Sequence, residues 1–142
     1  MEIYDIKEKP EYIREVATLT NEEWGGDVET KIEKIKSRLD NKYYCKLIML
    51  DGEELIGFIS IFPTDGDERQ DLTPWYATMF VKKEHRGKGY SKILNDAILK
   101  EARKRGFERL YLKTELENYY EKFGAKYMET LSTGEKLLYF DI

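Results

Sequence analysis

The chain has 142 residues, 41% of them hydrophobic, with 11 tyrosines, 6 phenylalanines and a formal net charge of -4. This size and apolar share fit one folded domain that buries roughly two-thirds of its unfolded surface, and they exclude a disordered segment. The acidic balance argues against general nucleic-acid or anionic-membrane binding, and a single cysteine (Cys45) with a single histidine (His85) allows neither an internal disulfide nor a zinc cluster.

No apolar run is long enough to span a bilayer. The opening MEIYDIKEKP lacks a basic start followed by an apolar segment, so a cytoplasmic protein without a secretory signal is expected. No repeat, linker or low-complexity tract divides residues 1–142, which read as one domain. A short strand near Glu2 to Ile6 leads to Pro10 at a first helical position, and Ile13, Val16 and Ala17 then repeat at helical spacing. NEEWGGD breaks that helix. Asp27 caps a second one, whose stripe is Val28, Ile32, Ile35 and Leu39.

YYCKLIML and ELIGFISIF are β-rich runs joined by Asp51-Gly52, which favours a tight antiparallel hairpin. The polar stretch PTDGDERQD leads into TPWYATMFV, a third strand of the meander. The basic segment VKKEHRGKGYSK follows and delivers the chain into SKILNDAILKEARKRG, where Ile93, Leu94, Ala97, Ile98 and Ala102 form an amphipathic stripe ending at Gly106. FERLYLKT alternates as a strand, LENYYEKFG is a short helix closed by Gly124, and AKYMETL and KLLYF flank the turn STGE. This order predicts an α/β fold: a mixed sheet, antiparallel at its start, with one parallel crossover around the basic helix.

In VKKEHRGKGYSK, Gly87 and Gly89 lie between a strand end at Val81 and a helix start near Tyr90. The first turn of a helix has amide donors without partners and a positive dipole end, and glycine lets an anion reach them. Arg86, Lys88 and Lys92 add charge, so a phosphate or pyrophosphate is the expected guest. A solvated basic turn is the plainer alternative. A Walker loop is excluded, because no Gly-Lys-Ser/Thr follows at the required spacing. A dinucleotide fingerprint lacks its third glycine, that position being Lys92, although Glu115 stands about where a ribose-binding acid is expected.

RGKGYS resembles the coenzyme-binding signature of the GCN5-related N-acetyltransferase (GNAT) family, with Arg86 and Gly89 in register and Ser91 at the last small position. PWYATMFV before the turn and YYEKFGAKY after the next strand are similar to further family segments, with Ala125 replacing a usual Phe. The resemblance covers residues 73 to 128. It implies a mostly antiparallel sheet with one central parallel crossover and helices on both faces. It also implies acetyl-CoA as cosubstrate, with backbone amides of Arg86, Gly87, Lys88, Gly89, Tyr90 and Ser91 on the pyrophosphate and Lys92 in the same cofactor-binding set. The strand end Met79, Phe80 and Val81 pairs with the pantetheine arm, and Asn118 joins the cofactor-binding set. The strands carrying Val81 and Thr114 splay apart around the thioester.

The implied reaction is direct attack of a primary amine on the thioester in a ternary complex, with no enzyme-bound acyl group and no metal. Cys45, inside an apolar strand with no base beside it, then reads as buried filler, and His85, beside Arg86, as a surface or phosphate-proximal group. Tyr120 matches the tyrosine that meets the departing sulfur, the alternative being that it packs. Glu22 and Glu23, in the break after the first helix, and Asp65, Asp67, Glu68 and Asp71, in the polar loop, suggest an acidic entrance and hence a small cationic or peptide acceptor. Trp24 and Trp75 are expected to pack in the core, the alternative being that they offer aromatic faces to such a cation. A monomer or homodimer is expected. A non-catalytic acyl-CoA sensor and a dinucleotide-binding domain are the competing readings.

Overall fold

A computed structural model describes residues 1–142. Its elements run β1 (Glu2–Asp5), α1 (Ile13–Trp24), α2 (Val28–Arg38), β2 (Cys45–Asp51), β3 (Glu54–Phe62), β4 (Trp75–Val81), α3 (Tyr90–Lys104), β5 (Arg109–Thr114), β6 (Lys126–Thr130) and β7 (Lys136–Asp141). The strands form one sheet in the order β1-β2-β3-β4-β5-β7-β6. Every neighbouring pair is antiparallel except β4 and β5. This is the expected mixed sheet, and a doubly wound dinucleotide fold is overturned, since that requires a mostly parallel one.

Helices cover both faces because the strands alternate between two apolar sets. Cys45, Leu47 and Met49 of β2 face α3, where Leu94, Ile98 and Ala102 are fully buried. Ile48 and Leu50, one residue out of phase, pack with Ile13, Val16 and Ala17 of α1 and Ile32 and Ile35 of α2. Burying each Leu or Ile stabilises the fold by roughly 1.5–3 kcal/mol, so both faces must be covered. Gly57 in β3 permits the closest approach: a Cβ there would lie 2.4 Å from the Phe80 carbonyl oxygen and 3.3 Å from Leu94 Cδ1 of α3.

Three boundaries differ from the sequence reading. A 3-10 turn over Pro10–Tyr12 precedes α1, and that helix continues through NEEW to stop at Gly25, with φ of +79°. Glu22 and Glu23 therefore occupy its last turn and not a break, because Glu and Trp are tolerated in helices and only the Gly pair forces an exit. Asp27 does cap α2, accepting from the Thr30 amide at 2.8 Å. LENYYEKFG forms only a 3-10 turn, Tyr120–Phe123, before Gly124 at φ +102°.

The feature that opens the site is the β4–β5 pairing. Only Trp75 and Tyr111 pair across it, with the Tyr111 amide donating to the Pro74 carbonyl at 3.1 Å. Beyond that point the two parallel strands diverge. Most of the β4 edge on that side is left without a strand partner.

Candidate active site

The basic segment ends β4 in a 3-10 turn, Lys83–His85, then passes through Gly87 (φ +78°) and Gly89 (φ +82°) into α3. L-residues with a Cβ avoid this left-handed region, so the glycines allow the abrupt entry. No side chain caps α3. The amides of Gly87 through Lys92 find no acceptor in the chain, and the Ile93 amide is the first to bond, to the Gly89 carbonyl at 3.4 Å. Six adjacent unpaired donors at the positive end of a four-turn helix fit an anionic diphosphate.

These donors border a cleft of about 520 Å³. Met79, Phe80 and Val81 line it from β4, and Arg86, Gly87, Gly89, Tyr90, Ser91 and Lys92 from the turn. Lys88 and Asn118 do not line it. Lys88 is an exposed turn residue, and Asn118, in a left-handed conformation at φ +57°, is exposed after β5. The Arg86 side chain folds back: Nε donates to the Val81 carbonyl at 2.8 Å and the guanidinium lies 5.7 Å from the Phe80 ring centre. Lys92 pairs with Asp96 at 2.7 Å. The turn thus offers mainly its backbone. His85 is tied to Glu54 of β3 at 2.9 Å, a closer partner than its basic neighbour, and this bond holds the Glu54 carboxyl below its ordinary range.

A second cleft, of about 910 Å³, runs along β4 from Tyr76 and meets the first at Met79. Thr114 and Tyr120 line it where β4 and β5 part. Tyr120 packs edge-on against Tyr119 (ring centres 4.8 Å) and Tyr76 (5.6 Å). Burial, and the neighbouring Tyr119 hydroxyl to a lesser degree, pushes its phenol up to about 12. Tyr119 lines the smaller cleft instead.

The expected acidic entrance is not what this cleft shows. Of the six carboxylates proposed for it, Asp65 alone lines it. Glu68 is bound to the Ser132 amide and Asp71 to Arg69, while Glu22, Glu23 and Asp67 point elsewhere. Burial raises the Asp65 carboxyl, with Lys113 at 4.0 Å opposing the shift. The lining carries five cationic side chains, Lys31, Lys34, Arg38, Lys46 and Lys113, against three carboxylates, Asp27, Asp65 and Glu135. Trp75 is buried as expected, but Trp24 is 51% exposed at the cleft, its ring edge-on to Phe80 of β4 with centres 6.4 Å apart.

Among the lining residues with no counterpart in the sequence reading, Lys46 and Thr78 stand out. Lys46 is only 3% exposed, and Thr78 holds φ at +48° in β4, where the register with β3 shifts. The signal for Lys46 was a lone cation inside YYCKLIML, whose neighbours alternate between two buried faces.

A sheet opened between its one parallel pair, with an amide-lined turn at the opening, defines an α/β acyl-transfer fold. The chain belongs to the acetyltransferase (GNAT) family, whose model matches residues 3–125. Among solved structures it is similar to an aminoglycoside 6'-N-acetyltransferase complexed with coenzyme A (19% identity, TM-score 0.79, covering 99% of this chain and 97% of that one). It is similar also to yncA of Salmonella typhimurium with its cofactor acetyl-CoA (14%, TM-score 0.77, 99% and 92%). A third is a ribosomal-protein-alanine N-acetyltransferase from Brucella melitensis (17%, TM-score 0.79, 100% of both chains). At these identities the likeness is one of fold. No curated protein sequence matches the chain.

Proposed function

We propose that residues 1–142 form one catalytic domain that transfers an acetyl group from acetyl-CoA to a primary amine by direct attack in a ternary complex. The observation that carries this reading is the run of unpaired amides from Gly87 to Lys92 at the mouth of α3, beside the free edge of β4. Those amides receive the diphosphate, and the edge of β4 that β5 leaves open at Met79, Phe80 and Val81 receives the extended pantetheine arm much as a strand edge receives a peptide. The coenzyme supplies the activated acyl thioester. Arg86 braces the turn on the strand end, and Lys88 and Lys92 add charge at its rim.

The acceptor enters from the larger cleft, which reaches the smaller one at Met79. Tyr120 donates a hydrogen bond to the sulfur as charge develops there. Cys45 is unsuited to carry an acyl group: burial pushes its thiol up to about 12, and α3 seals it from both clefts. A chain with one buried thiol and no helix long and apolar enough to cross a membrane suits a cytoplasmic enzyme, acting as a monomer or homodimer.

Calorimetric titration with acetyl-CoA and with NAD, followed by thiol release across an amine panel, tests the proposal. Saturable uptake of acetyl-CoA alone and amine-dependent thiol release are expected. Uptake without release for every amine would support a sensor instead, and no uptake would end the enzymatic reading.

A further inference from the structure

Lys46 lies on the face of β2 that α1 and α2 cover, yet it contributes to the lining of the larger cleft. It pairs in register with Ser60 of β3, so the side chains of Phe58 and Phe62 flank it, their ring centres 5.2 and 5.4 Å from the ammonium. Its polar contacts are Ser60 Oγ at 2.7 Å and Thr78 Oγ1 at 3.5 Å, and those two hydroxyls lie 2.7 Å apart. The bulge in β4 creates this arrangement, since the left-handed Thr78 supplies the second hydroxyl. A β-branched residue in that conformation costs roughly 1–3 kcal/mol, a strain found mostly at functional sites.

A buried ammonium is expensive without an opposite charge. Lys46 forms no ion pair: its strand neighbour Cys45 keeps its proton, and the nearby charge that acts on it is the like-charged Lys31 of α2. Around the same cleft stand Lys34 and Arg38 from α2, Tyr76 from β4, Lys113 from β5, Tyr120 after β5, Asp65 from the β3–β4 loop and Glu135 from the β6–β7 turn. Asp27 caps α2 and Asp65 faces Lys113. The cleft therefore presents an excess of positive charge above a cation that has no counter-ion.

We propose that the acceptor is an amine that also carries a carboxylate, and that Lys46 and Thr78, backed by the buried Ser60, receive this carboxylate at the floor of the cleft. The inference rests on the acetyltransferase reading and names its substrate class. The ammonium supplies the opposite charge and the Thr78 hydroxyl a second donor for one carboxylate, while Ser60 holds both in place from behind. Desolvation, reinforced by Lys31, lowers the Lys46 ammonium to about 7 in the free protein. A carboxylate raises it again, so binding takes up a proton, and affinity falls as pH rises above about 7 until the bound value is reached.

The test uses the full chain with a series of ω-amino acids of increasing length, their carboxamides and matching diamines. At least one amino acid is expected to exceed its carboxamide in kcat/KM by roughly 10- to 100-fold, the range of a charge-assisted hydrogen bond. In Lys46→Met this ratio collapses toward one. Independently, the side-chain resonance of isotopically labelled Lys46 titrates near 7 in the free protein and moves upward by about one unit or more with the amino acid, but not with the carboxamide. Carboxamides or diamines turned over as well as amino acids, with the Lys46 titration unmoved, would overturn the carboxylate site and leave the transferase standing. Upward movement with amino acids alone, without thiol release, would uphold the site and defeat the transferase.

Discussion

Replacing Tyr120 by Phe removes one hydroxyl and keeps the ring that packs on Tyr76 and Tyr119. The phenol stands at about 12, whereas an ordinary thiol loses its proton near 8.5, so complete transfer from Tyr120 to the leaving sulfur is uphill by about 5 kcal/mol. Burial has more than doubled the barrier to transfer that an unperturbed phenol, near 10, would face. The hydroxyl instead donates a hydrogen bond to the developing thiolate, an interaction with a charged group of about 1.5–3 kcal/mol. Its loss in Tyr120→Phe lowers kcat roughly 10- to 100-fold. Coenzyme affinity should stay unchanged, since the diphosphate contacts lie in the other cleft. Steady-state kinetics from pH 7 to 10 alongside calorimetry measures both. A variant with undiminished kcat refutes the assignment, and a wild-type alkaline limb near pH 9 that vanishes in Tyr120→Phe refutes the hydrogen-bond argument in favour of proton transfer.

Gly89→Ala forces a Cβ into φ +82° with nothing else within 4 Å, so the protein should lose only about 1–2 kcal/mol by chemical denaturation. Coenzyme Kd should rise by more than the tenfold that such a loss represents, and an unchanged Kd would remove the diphosphate from this turn. Gly57→Ala drives a Cβ against the Phe80 carbonyl and should destabilise by about 3 kcal/mol or more; thermal melts within a degree of wild type would show that β3 and β4 relax easily. Cys45, its thiol pushed up to about 12 and buried, should resist alkylation at pH 8 in the native protein and react fully in denaturant, as intact mass reports.

Local chemistry is what made the coenzyme half of this protein legible. Gly87 and Gly89, placed between an apolar strand and an amphipathic helix, imply a left-handed turn and open amides whatever the rest of the chain does, because backbone sterics and helix-end hydrogen bonding act over a few residues. Asp51-Gly52 between the β-rich runs YYCKLIML and ELIGFISIF likewise implied a hairpin, and Asp27 a helix start. The acceptor half was not legible. Counting carboxylates in PTDGDERQD suggested an acidic mouth, but long-range contacts from Ser132 and the local Arg69 engage two of them, and only Asp65 turns inward.

Lys46 shows the division most clearly. Its position in an apolar strand was visible, but whether it met a carboxylate, water or an empty cleft depended on β3 pairing Ser60 beside it, β4 bulging at Thr78 and α2 standing above it. The sequence by itself determined most of the elements, the glycine turn with its open amides and the family, all of which follow from residues close together along the chain. Only the tertiary structure decided the charge and shape of the larger cleft, because its lining comes from four strands, two helices and the loops between them, far apart in sequence, and the electrostatic cost of a buried charge is set by what those distant segments place around it.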